Sequence, residues 1–277
     1  MSGVPAPPPK LPERPVGAPR RLGSSRWTPW MGVAALLVGF GAATFCAVII
    51  LAIGVGFGAD SGDPPPGVTL PSLLVQDICL AGAALLFARA AGPVTVRQFG
   101  LRAPAGRWSW MGWAALAMLA FIVFANLWLE LIDQTDARDE LPQELGADTS
   151  AAAAVVTAAL VCVLAPLVEE FLFRGFIFPA MRNRLGLWGG AAVTGLLFGG
   201  AHVLGSPVAF LLPLAFLGFV LCLLYWRTGS LYPPIVLHAV NNSMALGSVM
   251  DWEWQTPVVM LSSLALIGLL ATAIARR

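Results

Sequence analysis

The chain has 277 residues, of which 58% are hydrophobic and 11% are charged; the formal net charge is +1 and the mean hydropathy +0.79. Soluble domains carry about a quarter of charged residues, so this composition excludes a soluble globular protein and predicts a polytopic membrane protein. No basic stretch is typical of a nucleic-acid site, and we expect no nucleic-acid partner. The four cysteines lie in apolar runs without a CxxC pair, which favours neither a disulfide framework nor a structural zinc site.

Residues 1–26 are rich in proline and carry basic charge opposed only by Glu13. This composition predicts a disordered, uncleaved basic tail. By the positive-inside rule, the tail lies in the cytoplasm.

Eight apolar stretches follow, each of a length that suits a crossing of about 30 Å of hydrocarbon. We expect these spans at residues 31–57, 68–88, 110–132, 151–181, 187–204, 208–226, 231–249 and 257–274. Arginines lie in the turns that would be cytoplasmic, and acidic residues dominate the opposite loops. The predicted fold class is therefore all-α, a polytopic membrane protein with about eight transmembrane helices and both termini inside.

The fourth span contains Glu169, Glu170 and Arg174, and ionisable groups in hydrocarbon are costly enough to indicate function. Glu170 and Arg174 are spaced i,i+4, which predicts a buried ion pair. Glu169 lies about 100° further round the helix and has no basic residue at i+3 or i+4. It therefore needs a partner from elsewhere in the chain.

The only two histidines, His202 and His238, both lie in predicted spans. Glu169 and His202 are equally far from the predicted hairpin turn at residues 185–186, about 24 Å at 1.5 Å per residue. His238 and Asn242 are spaced i,i+4 and share a helix face. The set predicts a hydrolytic site, with a base that takes a proton from water and donors that meet a developing oxyanion.

Asp77 is another carboxylate inside a predicted span, without a motif around it. We interpret it as a residue of helix packing and leave it outside the predicted site.

Three motifs now stand in order, each in a predicted span: Glu169-Glu170-x-x-x-Arg174, Phe198-x-x-x-His202 and His238-x-x-x-Asn242. Together they resemble the signature of the CPBP intramembrane protease family, which includes the type II CAAX prenyl endopeptidases and their Abi-like bacterial relatives. The resemblance covers roughly residues 150–250. The division that follows is a tail at 1–26, three helices with their loops at 27–149, a catalytic core at 150–250, and an external turn with the last helix at 251–277.

The resemblance implies a role for each motif residue. Glu169 and His202 would activate the attacking water, and His238 and Asn242 would form the oxyanion hole. Glu170 and Arg174 would support the site, and Phe198 would pack beneath it.

A metal is a separate question, because Glu169, His202 and His238 could also supply a His2Glu zinc set and family names often include metalloprotease. The chain has no HExxH motif, and Asn242 beside His238 suits an oxyanion hole better than a metal shell. We therefore favour water activation without a metal, with zinc as the alternative.

The leading hypothesis is a CAAX-type intramembrane endopeptidase that acts near the cytoplasmic face, in a bacterial cell membrane. Its expected partners are membrane lipid and a membrane-associated or lipidated protein or peptide substrate. The alternatives are a non-enzymatic immunity or scaffold protein of the same fold, and a transporter, since buried acids and histidines also serve proton relays.

Overall fold

The computed structural model describes residues 22–104 and 108–275, and this part of the chain is helical without strands. Its α-helices are α1 (Pro29–Gly56), α2 (Pro66–Ala90), α3 (Ser109–Leu131), α4 (Leu141–Glu144), α5 (Ala151–Ala159), α6 (Ala165–Glu170), α7 (Phe178–Ala201), α8 (Val208–Thr228), α9 (Tyr232–Val249) and α10 (Gln255–Ala275). Residues 1–21 of the predicted tail lie outside the described residues.

Six helical segments of the described chain are long and apolar enough to cross a membrane: α1, α2, α3, the continuous run Ala151–Ala201, α8 and Gln255–Ala273 of α10. The 51-residue run turns sharply at Gly186, where φ is 70° and ψ is −175°, a conformation that suits glycine. The turn divides the run into two arms, and α9 adds a helix of 18 residues. The all-α, polytopic membrane class is thus confirmed, and the predicted count of about eight is close.

The sequence predicts one regular helix for the first arm of that run, and this prediction is wrong. Two π-helical segments, Leu160–Leu164 and Phe171–Ile177, lie on either side of α6. Each ends two residues before a proline, Pro166 or Pro179. Proline has no N–H and its ring clashes with the carbonyl four residues earlier, so the wider π turn relieves both problems.

Small residues bring α7 and α8 into close contact. A Cβ atom at Gly195 would lie 2.9 Å from the Phe219 backbone nitrogen, and one at Gly218 would lie 2.9 Å from the Gly195 Cα. Backbones can approach this closely only where side chains are absent, as is common between membrane helices. This contact holds the second arm of the long run against α8, beside the site.

The first helices pack onto the predicted catalytic core instead of standing apart from it. Residues of α1, α2 and the second π segment share one buried apolar cluster. In the loop after α2, the Phe99 ring stacks on Phe171 at 4.4 Å, and its carbonyl accepts a hydrogen bond from the Tyr225 hydroxyl. The division at residue 150 stays a prediction about function, since the two parts share a core.

The start of the described chain lies at the tip of the hairpin. The Asn183 side chain donates hydrogen bonds to the carbonyls of Ser24 and Trp27, at 2.8 and 2.9 Å. The Trp27 side chain is buried in the apolar cluster below them. The N-terminal segment and the turn at Gly186 are therefore on the same side of the protein.

Candidate active site

An ion pair lies at the centre of the site, as the i,i+4 spacing predicts. Arg174 Nη1 donates to Glu170 Oε1 at 2.8 Å, and both side chains are completely buried. Arg174 Nη2 donates to the Gly218 carbonyl at 3.1 Å. The guanidinium carbon lies 4.5 Å from the centre of the Phe198 ring, a cation–π distance. The pair thus ties the first arm of the hairpin to α7 and α8.

Glu170 also contacts His238, which the sequence did not predict. Its Oε1 atom lies 2.9 Å from His238 Nδ1. A carboxylate accepts hydrogen bonds, so we assign the proton of this bond to Nδ1. One oxygen of Glu170 therefore joins Arg174 and His238, and it fixes the orientation of the imidazole so that Nε2 turns towards Glu169.

His202 has a similar arrangement made with a backbone group. Its Nδ1 lies 2.8 Å from the Phe198 carbonyl, which can only accept, so this nitrogen is the donor. His202 is the C-terminal cap of α7, which ends at Ala201. Gly199 and Gly200 precede it and Gly205 and Pro207 follow, and such residues favour a helix end and a turn.

Glu169 lies between the two histidines. Its Oε2 atom is 3.9 Å from His202 Nε2 and 3.9 Å from His238 Nε2. This atom is buried and has no hydrogen-bond partner, although the side chain as a whole is 18% exposed. A separation of 3.9 Å exceeds a direct hydrogen bond and fits groups that share a water molecule. The structure thus brings Glu169 and both histidines together, and chain counting had placed Glu169 and His202 at one level.

Asn242 is held by a backbone carbonyl of the first π segment. Its Nδ2 donates to the Val161 carbonyl at 2.9 Å, and its Oδ1 accepts from Asn241 at 3.3 Å. An amide nitrogen carries two hydrogens, so one donor is left for a ligand. The structure therefore brings Asn242 beside the first arm, on the same helix as His238.

The Val161 carbonyl can accept this bond because of Pro166. The Ala165 N–H bonds to the Leu160 carbonyl, five residues back. In that register, the Val161 carbonyl would need the N–H of Pro166, which proline lacks. Sequence reasoning missed this acceptor, and the signal for it was the proline inside an apolar span.

The same side chains decide whether the site could hold a metal ion. Within residues 22–104 and 108–275, no group of three or more His, Cys, Asp or Glu side chains is arranged to hold a metal ion. The zinc set Glu169, His202 and His238 thus has no support from this geometry, and nor does the expectation of a metalloprotease. Metal independence stays a prediction.

The fold and the site define a multi-pass helical membrane protein with a partly buried cluster of two carboxylates, two imidazoles and one guanidinium. Residues 151–244 match the family model described as type II CAAX prenyl endopeptidase Rce1-like. The resemblance that the three motifs carry is therefore confirmed over these residues.

Two curated proteins are similar to parts of the chain. A protein of Escherichia coli described as "Uncharacterized 24.3 kDa protein" is 34% identical over 105 residues, which are 37% of this chain and 48% of that protein. The "Putative membrane peptidase YdiL" of Bacillus subtilis (strain 168) is 27% identical over 84 residues, 30% of this chain and 33% of that protein. The chain thus spans half or less of the length of these relatives. No solved structure matched it.

Proposed function

We propose that the protein is an intramembrane endopeptidase that hydrolyses a peptide bond of a membrane-associated or lipidated protein. The observation that carries the proposal is the position of Glu169 Oε2, 3.9 Å from the Nε2 atoms of both His202 and His238. The family match over residues 151–244 supports the same reaction class.

Glu169 and His202 hold the attacking water. His202 uses Nδ1 as a donor, so its neutral form presents a lone pair at Nε2. A water molecule donates one hydrogen to that lone pair and the other to Glu169 Oε2. Glu169 then takes its proton as general base, and the oxygen forms a bond to the carbonyl carbon of the substrate.

His238 and Asn242 stabilise the oxyanion that this attack produces. Because His238 Nδ1 already donates to Glu170, its Nε2 can donate only when the ring is an imidazolium. The buried Glu170 carboxylate stabilises that cation, in the way that an acid orients and supports the histidine of a catalytic triad. The second N–H of Asn242 is the other donor.

The charges of the cluster balance before and after the attack. Before it, Arg174 and the His238 imidazolium are positive, and Glu169 and Glu170 are negative. After it, Glu169 is protonated and the oxyanion carries the second negative charge, so the group stays neutral as a whole. When the tetrahedral intermediate collapses, the C–N bond breaks and Glu169 gives its proton to the leaving amine. Glu169 is then a carboxylate again, and no external oxidant or cofactor takes part.

The substrate reaches the site from the side where Glu169 and His202 are partly exposed, with 18% and 26% of their side chains accessible. His238 lies in the second turn of α9, which starts at Tyr232 after the Arg227 end of α8. The positive-inside rule puts that end in the cytoplasm, so we place cleavage near the cytoplasmic face of a cell membrane.

Glu169→Gln is the variant that tests the function. It keeps the size of the side chain and removes the base, so cleavage should fall by about 100-fold or more. Membrane fractions from cells with the wild type or the variant are compared for new peptide termini. Each cleaved peptide is then made synthetically, with and without a prenyl group, and assayed with purified protein in liposomes.

Glu130→Gln is the matched control, because Glu130 is an exposed acid on α3, a helix that carries none of the site residues. It should cleave like the wild type, and both variants should melt at the wild-type temperature. A Glu169→Gln variant that cleaves as fast as the wild type would reject the mechanism. Full biological activity of that variant would favour the immunity or scaffold alternative.

A further inference from the structure

Asp77 on α2 is a buried acid that the mechanism above does not use. Its side chain is 2% exposed, and its Oδ2 atom is buried without a hydrogen-bond partner. A packing role would have given this oxygen a donor on a neighbouring helix, since buried polar groups are nearly always paired. The interpretation of Asp77 as a packing residue therefore does not explain why its buried Oδ2 atom lacks a donor.

The position of Asp77 relates it to the site. Helix α2 packs against α6, the segment that ends in Glu169 and Glu170. Asp77 is one of the buried residues of α2, so its side chain faces the interior of the helical bundle. Glu169 Oε2 is also a buried oxygen without a partner. Two buried carboxylate oxygens without partners thus lie on helices that pack against each other.

Arg174 and His238 direct hydrogen bonds to Glu170 and none to Asp77. Arg174 binds Glu170 and the Gly218 carbonyl, and His238 donates its Nδ1 proton to Glu170. Two neighbouring carboxylates in a medium of low dielectric cannot both be ionised without a large repulsion, so such a pair holds one proton between them.

The surroundings decide which acid holds that proton. Glu169 is the more exposed of the two, at 18% of its side chain, and two imidazole nitrogens lie 3.9 Å from it. Asp77 is the more buried, and burial disfavours the charged form. Of the two acids, Asp77 is therefore the one whose charged form its surroundings disfavour more.

We propose that Asp77 is a protonated positioning residue of the active site, whose O–H donates a hydrogen bond to Glu169, directly or through one water molecule. This inference rests on the proposed role of Glu169 as the base. Asp77 stays protonated through the reaction and Glu169 alone exchanges a proton with the water. The hydrogen bond fixes the carboxylate of Glu169 between His202 and His238.

Two substitutions separate this role from packing and from a role as an anion. Asp77→Asn is always neutral and keeps a donor, so kcat should stay within about threefold of the wild type. Asp77→Leu fills the space without a donor, so kcat should fall by about 10- to 100-fold, the effect of losing one hydrogen bond to a charged group, with KM unchanged. The control is Gln76→Leu, the same apolar replacement at the neighbouring position of α2, which should keep the wild-type kcat.

Each opposite result would overturn the proposal. Wild-type activity in Asp77→Leu would leave Asp77 with packing alone. If Asp77→Asn lost as much activity as Asp77→Leu while keeping its melting temperature, Asp77 would act as an anion.

Infrared spectroscopy provides a readout that does not depend on proteolysis. Near neutral pH, the wild type should show the carbonyl stretch of a protonated carboxylic acid, shifted by deuterium exchange, and Asp77→Asn should remove it. A spectrum that Asp77→Asn leaves unchanged, or that loses this band in Glu169→Gln instead, would refute the assignment of the proton. If neither the wild type nor any variant cleaves a substrate, the proposed function is wrong. The infrared spectrum still tests whether Asp77 carries a proton.

Discussion

Replacing Arg174 by methionine should destabilise the protein far more than an ordinary surface change. The arginine makes two hydrogen bonds, to Glu170 and to the Gly218 carbonyl, and its guanidinium lies on the Phe198 ring. Methionine keeps much of the apolar contact but carries no charge, so Glu170 would remain a buried carboxylate without its cation. Removing one partner of a buried ion pair costs about 3–5 kcal/mol, and we expect the free energy of unfolding to fall by that amount.

The double variant Arg174→Met/Glu170→Gln separates the stranded charge from the lost hydrogen bonds. Without a charge at either position, the remaining cost is about 1 kcal/mol for each lost hydrogen bond. The double variant should therefore be more stable than Arg174→Met alone, with a coupling free energy of about 1–3 kcal/mol. Denaturant unfolding in bicelles, followed by tryptophan fluorescence, measures the four proteins of this cycle: the wild type, Arg174→Met, Glu170→Gln and the double variant.

Arg184→Met is the matched control, because Arg184 is exposed near the tip of the hairpin. Its free energy of unfolding should stay within about 0.5 kcal/mol of the wild type. If Arg174→Met were as stable as this control, or if the double variant were less stable than Arg174→Met, the argument from a stranded buried charge would be wrong.

Three further changes test other parts of the structure. Gly199→Ala adds a Cβ atom 2.8 Å from the Cβ of Ala215 and should lower the free energy of unfolding by about 1–3 kcal/mol. The control Gly200→Ala adds a Cβ atom in open space and should leave the free energy of unfolding unchanged in the same assay. Pro166→Ala restores an N–H that competes with Asn242 for the Val161 carbonyl, so kcat should fall while the free energy of unfolding is kept. An unchanged kcat would contradict the inference that Pro166 frees this carbonyl for Asn242. A single cysteine in place of Asp136, in a chain without its own cysteines, should react with an impermeant reagent in intact cells; reaction only after permeabilisation would reverse the predicted orientation.

Much of the fold follows from the sequence, because hydropathy and chain length are local properties. The apolar stretch predicted at 208–226 is α8, Val208–Thr228, and the stretch at 231–249 is α9, Tyr232–Val249. The hairpin turn was predicted at residues 185–186, and the structure turns at Gly186. The ion pair between Glu170 and Arg174 was also predictable, since i,i+4 spacing is fixed by the helix itself.

The rest of the site depends on backbone geometry that hydropathy does not encode. The π segments change the register of the first arm, and only the positions of Pro166 and Pro179 give a signal for them. The bond between Glu170 and His238 joins residues 68 positions apart, so no local pattern predicts it. The sequence interprets Asp77 as a residue of helix packing because no motif surrounds it, and only the packing of α2 against α6 relates it to the helix of Glu169.

The two π segments give this protein an unusual sensitivity to insertions and deletions. Each carries a widened turn, and removing one residue from it would return that turn to α register and rotate everything on one side by about 100°. Since α6 lies between the segments, a single-residue deletion in either would turn the short piece that carries Glu169 and Glu170 relative to one of its flanks. The hydropathy and the composition of the span would hardly change. Length within Leu160–Ile177 is therefore as strict a requirement as the identity of the motif residues.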